Sequence, residues 1–261
     1  MGRCDPLVIK PLALALDRKD TSAKSRWLRS RKIEGFFAAR LRRIAHYIED
    51  YLRQFDGEHP ERNGWIIDAL RRYAETIEPW ARSVCERMAA EVAARDRKTW
   101  REVSAQMGAQ LHHEIDNAPL GNVLRKRLDE QVELIKSIPR DAAERVHKLA
   151  TEAAYTGERY TTLVDKIMEG GHVSRSRASL IARTEVGRVA TEITKARAEY
   201  VGSPGYIWAT SRDFSVRESH RAMEGRFVAW NDPPTLDGMT GHAGALPNCR
   251  CTPMPQIPDV D

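Results

Sequence analysis

The chain has 261 residues, of which 41% are hydrophobic and 30% charged, and its formal net charge is +5. This length predicts one or two domains, each large enough for its own core, in a charge-rich globular protein. No run approaches the roughly 18–20 apolar residues of a membrane span, and the first residues lack a signal-peptide pattern. We therefore expect synthesis and use in a cytosol, where the 4 cysteines stay reduced.

The positive charge is concentrated in the N-terminal fifth of the chain. Residues 1–55 hold 13 Lys or Arg against 6 Asp or Glu, a local balance of +7. Such a segment is either a solvated helix face or a surface for nucleic acid or an acidic protein. Aromatic residues interleave with it at Trp27, Phe36 and Phe37, as in nucleic-acid contacts, although aromatics at helical spacing are more often core. The candidate docking or nucleic-acid residues are Arg26, Arg29, Arg31, Lys32, Arg42 and Arg43.

Helical periodicity dominates the first 156 residues. Residues 1–20 contain two prolines and no clear period, which predicts an extended arm. Apolar residues then recur every three or four positions, as on an amphipathic helix. They predict helices over about 24–55, 66–92, 100–115, 124–135 and 146–153. Pro79 should kink or split the second, and Pro139 should end the fourth and open the fifth. Residues 21–156 are therefore expected to form a helical region.

The pattern changes after Gly157. A short helix is predicted to end at Gly170-Gly171, and Ser174 is a candidate N-cap for a helix reaching about Val201. The apolar runs 206–208 and 227–230 predict strands in a segment rich in Gly and Pro. We expect residues 157–261 to form a small α+β domain with short strands and long loops, so that the fold class is α+β overall.

Four blocks in this C-terminal part carry a resemblance. They are RASLIARTE at 177–185, WATSRD at 208–213, VRESH at 216–220 followed by MEG at 223–225, and PNCRC at 247–251. In this order they resemble the phage Mu F-like family of head morphogenesis, or minor head, proteins, over about residues 160–255. The chain departs from some relatives, which carry Cys-x-x-Cys at the positions of Arg217 and His220. Many relatives also carry a histidine at the position of Leu246.

The resemblance implies a minor capsid protein of a tailed bacteriophage, a structural virion component acting in procapsid assembly beside the portal. The implied partners are the portal protein and the inner capsid surface, with DNA as a further candidate, and no membrane or small-molecule substrate. The implied location is the virion, at the capsid interior or the portal vertex, after synthesis in the bacterial host cytoplasm. One alternative is a DNA-binding internal head protein that uses the basic N-terminal helix. The other is a nuclease or transferase effector.

Cys249-x-Cys251 is the most chemically suggestive pair. On an extended segment, residues two apart point to the same side, so both sulfurs can face one site. Together with His220 and His242 they could form a tetrahedral zinc site. The alternatives are two buried thiols with ordinary polar histidines, or a disulfide, for which the spacing is poor.

Glu185 falls on the apolar face of its predicted helix. A carboxylate there needs a partner, because unpaired burial costs several kcal/mol. We expect a structural polar network of Glu185, Arg183, Arg217 and Asp213. Glu185, Asp213 and His220 could also be drawn as an acid–base set, but no nucleophile, phosphate loop or cofactor motif accompanies them. We therefore expect no enzyme activity.

Overall fold

The computed structural model describes residues 31–104, 120–156 and 159–257. The predicted arm, Arg26, Trp27 and Arg29 lie outside these residues. The helices are α1 (Arg31–Leu52), α2 (Gly64–Thr76), α3 (Glu78–Ser104), α4 (Gly121–Thr156), α5 (Tyr160–Tyr200) and the short α6 (Glu218–Arg221). A 3-10 turn at Pro60–Asn63 precedes α2. Among the helices of the described ranges, none is both long and apolar enough for a membrane crossing. The predicted α+β fold class is confirmed.

Two prolines were predicted to interrupt helices, and the prediction holds for one of them. Near Pro79 the predicted break occurs, since α2 ends at Thr76 and α3 begins at Glu78. Pro139, however, lies inside α4, so the predicted boundary there is wrong. Pro139 is buried between core residues of the same helix, Ile138 and Ala142. An interior proline costs about 3 kcal/mol or more, and burial of the surrounding apolar face offsets it. The predicted start of a helix near residue 100 is also wrong, because α3 continues through it.

Gly170 and Gly171 do not end a helix, contrary to the prediction, because α5 runs through them. A Cβ on Gly171 would lie 2.4 Å from Glu49 Cγ, and one on Gly170 would lie 3.3 Å from Leu52 Cδ1. The two glycines therefore allow α1 to approach α5 closely. Ser174 is likewise not an N-cap, because its hydroxyl donates to the Gly170 carbonyl within the same helix at 2.9 Å.

Short antiparallel strands follow α5. The strands β1 (Gly205–Ala209) and β2 (Phe227–Ala229) confirm the two predicted runs. β1 also pairs with β5 (Thr252–Gln256), which gives the sheet order β2-β1-β5. In the register, Tyr206 lies opposite Val228 on one side and Pro255 on the other. The prolines of β5 fit an edge strand, whose outer backbone needs no ladder donor.

A small hairpin that the sequence reading missed lies between β2 and β5. It consists of β3 (Thr235–Leu236) and β4 (Met239–Thr240). Its turn residues Asp237 and Gly238 have φ values of 52° and 75°. Two successive positive φ values are those of a type I′ turn, for which Asp-Gly is a strong sequence signal.

The chain divides into two compact units that are discontinuous in sequence. Of the described residues, unit 1 contains 31, 89–104, 120–125 and 184–257, and unit 2 contains 32–88, 126–156 and 159–183. The division falls inside α3 and inside α5, whereas the sequence-based domains are consecutive segments.

Unit 2 is a helical unit that carries an ion cluster around one buried lysine. Its core includes Phe37, Leu41, Ile135 and Leu163. The ammonium of Lys136, whose side chain is 5% exposed, lies within 3.2 Å of carboxylate oxygens of three glutamates, Glu75, Glu78 and Glu133. Hydrogen bonds to these glutamates, that to Glu78 being the strongest cause, raise the pKa of Lys136.

Unit 1 has an aromatic core built on its sheet. Trp100 of α3 packs in one cluster with Tyr206 and Trp208 of β1 and with Trp230. A buried ion pair accompanies this core, since Arg197 Nη1 donates to Asp96 Oδ2. Asp96 Oδ1 accepts a second hydrogen bond from the Thr194 hydroxyl at 2.7 Å.

Candidate functional site

The second half of α5 holds the loop that carries the cysteines. We call residues 243–251, between β4 and β5, the C-terminal loop. Thr191 Oγ1 donates to the Ala243 carbonyl at 2.7 Å, and Arg188 Nε donates to the Ala245 carbonyl at 2.9 Å. Thr184 Oγ1 accepts a hydrogen bond from the Asn248 N–H at 3.1 Å. Side chains at three positions along the helix therefore satisfy the backbone of the loop.

Glu185 supports this attachment indirectly. Its side chain is 1% exposed and accepts a hydrogen bond from Arg188 Nη1 at 2.9 Å. The same guanidinium holds the loop at Ala245, so the buried carboxylate orients the arginine. The sequence reading missed Arg188, although it lies one helical turn after Glu185, just beyond the RASLIARTE block, a spacing at which side chains meet.

The other members of the predicted polar network make several different contacts. Arg183 Nε donates to Glu34 Oε1 at 2.9 Å within unit 2. Arg217 Nη2 donates to the Pro247 carbonyl at 2.7 Å, which fixes the C-terminal loop from its other side. Asp213 Oδ2 accepts a hydrogen bond from Arg250 Nη1 at 2.8 Å. Partial burial opposes ionisation of Asp213, but hydrogen bonds from Arg250, Ser211 and a backbone N–H keep its pKa below the usual value.

Gly244 sets the path of the loop. Its φ is +88°, a left-handed conformation that side-chain-bearing residues rarely adopt. A Cβ at this position would lie 2.6 Å from Thr191 Oγ1 and 3.1 Å from the Cys251 carbonyl oxygen. Only glycine fits here without displacing the helix contact or the backbone that carries the second cysteine.

His220, Cys249 and Cys251 lie together in the interior of unit 1. His220 Nδ1 is 3.4 Å from Cys249 Sγ and 3.6 Å from Cys251 Sγ. The three residues are 1–2% exposed. His220 comes from α6, so the contacts join this helix to the end of the C-terminal loop. Within the described residues, these three form the group whose ligand atoms could hold a metal ion, all within 4.8 Å of one another.

The Cys249 sulfur is surrounded by hydrogen-bond donors. The Cys251 thiol is the largest cause that lowers its pKa, and His220 contributes as well. Backbone N–H groups of Gly244 and Cys251 each donate to the sulfur at 3.4 Å. These bonds outweigh burial, which acts the other way, and lower the pKa of Cys249 to about 4. A thiolate is the form of cysteine that binds metal ions.

His242 is not part of this group. Its Nδ1 lies 3.2 Å from the Tyr206 hydroxyl oxygen, and its Nε2 lies 3.4 Å from Lys195 Nζ. The ring also meets Tyr206 and Trp230 edge to face. Burial, followed by the charge of Lys195, lowers the pKa of His242 to about 4. The imidazole is therefore neutral and engaged in an aromatic cluster, away from the ligand group that includes the cysteines.

The basic residues of α1 have mixed environments. Arg31 is 82% exposed and lies 3.8 Å from Asp213 Oδ2. Lys32 and Arg43 are exposed, and Arg42 is half-buried. The aromatic residues nearby serve the fold, since Phe37 is buried in the unit 2 core and Phe36 lies under the guanidinium groups of Arg40 and Arg87.

Comparison with known proteins finds two relatives that each match about half of this chain. An uncharacterized protein of Haemophilus influenzae is 35% identical over 130 residues, which are 50% of this chain and 28% of that protein. The minor head protein GP7 of Bacillus phage SPP1 is 24% identical over an alignment of 154 residues, which covers 52% of this chain and 49% of GP7. The chain thus spans less than half the length of either relative. No solved structure gives a significant match.

The family match covers the whole site. All four sequence motifs, the second half of α5, the C-terminal loop and the His220–Cys249–Cys251 group lie in the matched range. The predicted resemblance is confirmed for this part of the chain. Residues 144–254 match the family described as Phage Mu protein F like protein.

Proposed function

We propose that this chain is a minor head protein of a tailed bacteriophage, a structural component that acts in head assembly beside the portal. The observation that carries the proposal is the family match over residues 144–254, together with the similarity to a protein named as a minor head protein. A virion location and capsid-related partners follow from that similarity. The placement at the portal vertex or the inner shell is our inference from the family resemblance.

The use of the motif residues supports a structural role. Thr184 and Arg188 bind the backbone of the C-terminal loop, and Asp213 binds Arg250 of the PNCRC motif. Side chains that bind the backbone of their own chain define a fold rather than a reaction, because the groups they bind are part of the chain. These contacts thus stabilise the C-terminal loop within unit 1.

We also propose that the chain has no enzyme activity. The two groups on which an effector mechanism would rest are buried, with Glu185 1% and His220 2% exposed. A general acid or base must reach its substrate within hydrogen-bond distance, which such burial opposes. The test is incubation of the purified full chain with DNA and RNA in the presence of Mg²⁺. Cleavage that disappears in Glu185→Gln or His220→Ala would contradict the proposal.

DNA binding by the basic segment of α1 ranks second. Lys32 and Arg43 are exposed, as phosphate contacts require. Phe36 and Phe37 of the predicted aromatic pattern are engaged within unit 2, which favours a solvated or protein-docking face. If DNA does bind, replacing Lys32, Arg42 and Arg43 with Gln should weaken the salt dependence of the affinity. The slope of log affinity against log salt concentration should fall by roughly one for each lost phosphate contact.

Co-purification tests the portal proposal. The tagged full chain would be co-expressed with the portal protein of the same phage and, in parallel, with its major capsid protein. We expect it to co-elute with the portal in size-exclusion chromatography, and imaging of that complex would locate the chain. Co-elution with the capsid protein alone would move the proposed site to the inner shell. Separate elution from both would contradict the assembly role.

A further inference from the structure

The cysteine and histidine group of unit 1 has the geometry of a metal ligand set. A single nitrogen, His220 Nδ1, faces both sulfurs, at 3.4 Å from Cys249 and 3.6 Å from Cys251. Zinc binds sulfur at about 2.3 Å and imidazole nitrogen at about 2.0–2.1 Å, so two such ligands of a tetrahedral ion lie about 3.5 Å apart. Both observed separations agree with that edge length.

Hydrogen bonding alone explains the arrangement less well. A ring nitrogen carries at most one proton, and a hydrogen bond weakens steeply as it departs from a straight line. One proton therefore forms a good hydrogen bond to one sulfur. The structure, however, places two sulfurs at nearly the same distance from His220 Nδ1. An ion between the three atoms attracts all of them at once. The ligand types also fit, because thiolate and imidazole are the usual ligands of structural zinc.

We propose that His220, Cys249 and Cys251 bind one zinc ion inside unit 1. The ion would link α6 to the end of the C-terminal loop, just before β5 enters the sheet. Small domains with many loops have limited cores, and a metal link of this kind adds directly to folding stability. The role of the ion is thus to fix the loop in place, a property separate from the assembly role proposed above.

Two neighbouring residues set the strength of the site. His242 is held by Tyr206 and Lys195, so the protein supplies three ligands where closed structural centres have four. Arg217 Nη1 lies 3.4 Å from His220 Nε2, which would carry the ring proton once Nδ1 binds the ion. Two donors would then face each other, and we expect Nη1 to turn away while Nη2 keeps its bond to the Pro247 carbonyl. Both features predict a lower zinc affinity than that of a closed four-ligand site.

The experiment measures metal in the full chain. Protein purified without chelator would be loaded with Zn²⁺, dialysed and analysed for zinc, and its melting curve recorded with and without EDTA. We expect about one zinc per chain and a lower melting temperature in EDTA. Less than about 0.1 equivalent after loading, with no EDTA effect, would overturn the proposal.

Matched substitutions test the ligand set. Cys249→Ser, Cys251→Ser and His220→Gln should each lose at least about tenfold in zinc affinity, as loss of a ligand implies. Cys85→Ser removes another buried thiol, and His242→Gln another imidazole, and both should keep wild-type zinc content. Zinc loss in His242→Gln equal to that in His220→Gln would overturn the assigned ligands.

Cobalt substitution decides the question if the variants fail to fold. Wild-type protein loaded with Co²⁺ should show thiolate-to-cobalt charge-transfer absorption and the intense visible bands of tetrahedral cobalt. A spectrum identical to that of hydrated Co²⁺ would overturn the proposal without any variant.

Discussion

Replacing Gly244 with alanine tests the attachment of the C-terminal loop most sharply. The substitution forces a side chain into a residue with φ of +88° and places its Cβ 2.6 Å from Thr191 Oγ1. Gly225 is a matched control, because its φ is +77° but a Cβ there would meet no heavy atom within 4 Å beyond its chain neighbours. Gly225→Ala therefore measures backbone strain alone, and Gly244→Ala measures strain plus overlap.

The two effects have separable magnitudes. The left-handed conformation costs a non-glycine residue about 1–2 kcal/mol. Overpacking adds about 1–3 kcal/mol, and loss of the Thr191 hydrogen bond to the Ala243 carbonyl adds about 1 kcal/mol. We expect Gly225→Ala to lower the free energy of unfolding by about 1–2 kcal/mol and Gly244→Ala by about 3–6 kcal/mol.

Urea unfolding followed by tryptophan fluorescence measures both variants, since the unit 1 core contains Trp100, Trp208 and Trp230. Thr191→Ala removes the atom that the new Cβ meets. The double variant Thr191→Ala/Gly244→Ala should therefore lose less stability than the sum of the single variants. Equal losses for Gly244→Ala and Gly225→Ala, or strict additivity in the double variant, would refute the proposed contact.

Two further predictions concern buried charges. Burial raises the pKa of Asp96 from 3.8 to about 6, against the opposing effects of Arg197 and Thr194. Because the folded state then binds the proton more tightly, the stability from this group is fully present below about pH 4 and is lost as the pH rises through about 6. The unfolding free energy of wild type relative to Asp96→Asn should fall over that range, and a flat or rising difference would contradict the assignment. Lys136→Met removes the ammonium that Glu75, Glu78 and Glu133 share, while Arg140 keeps its bonds to Glu75 and Glu133. The loss of the ammonium should lower the stability of unit 2 by about 1–3 kcal/mol. The exposed control Lys148→Met should change stability by less than about 0.5 kcal/mol, and equal losses in thermal unfolding would show that the cluster adds nothing.

The apolar periodicity of the sequence predicted the presence of the helices, but it did not predict where they begin and end. Pro139 and Gly170-Gly171 are local breaking signals with costs of a few kcal/mol, and the sequence does not show what offsets them. At Gly171 the offset is the approach of Glu49, which is 122 positions earlier in the chain. A contact between residues so distant in sequence leaves no local pattern.

The site was predictable in composition and less so in geometry. The alternation of Cys249 and Cys251 suggested two sulfurs on one side, and the structure places both beside His220. The environment of His242 could not be predicted in the same way, because Tyr206 and Lys195 approach it from other elements. The spacing from Glu185 is a sequence signal for Arg188, and a glycine in a loop is one for Gly244. The roles of both residues depend on the backbone path of the C-terminal loop, which sequence alone does not position. Zinc binding stays a prediction.

Quantitative mass spectrometry of purified phage heads tests the central claim most directly. Heads of the phage that encodes this chain would be separated from free protein by density gradient, and the amount of the chain measured relative to the portal protein. The assembly role predicts that the chain co-sediments with the heads at a fixed ratio to the portal. Recovery of the chain only among the free proteins, with complete heads present, would contradict it.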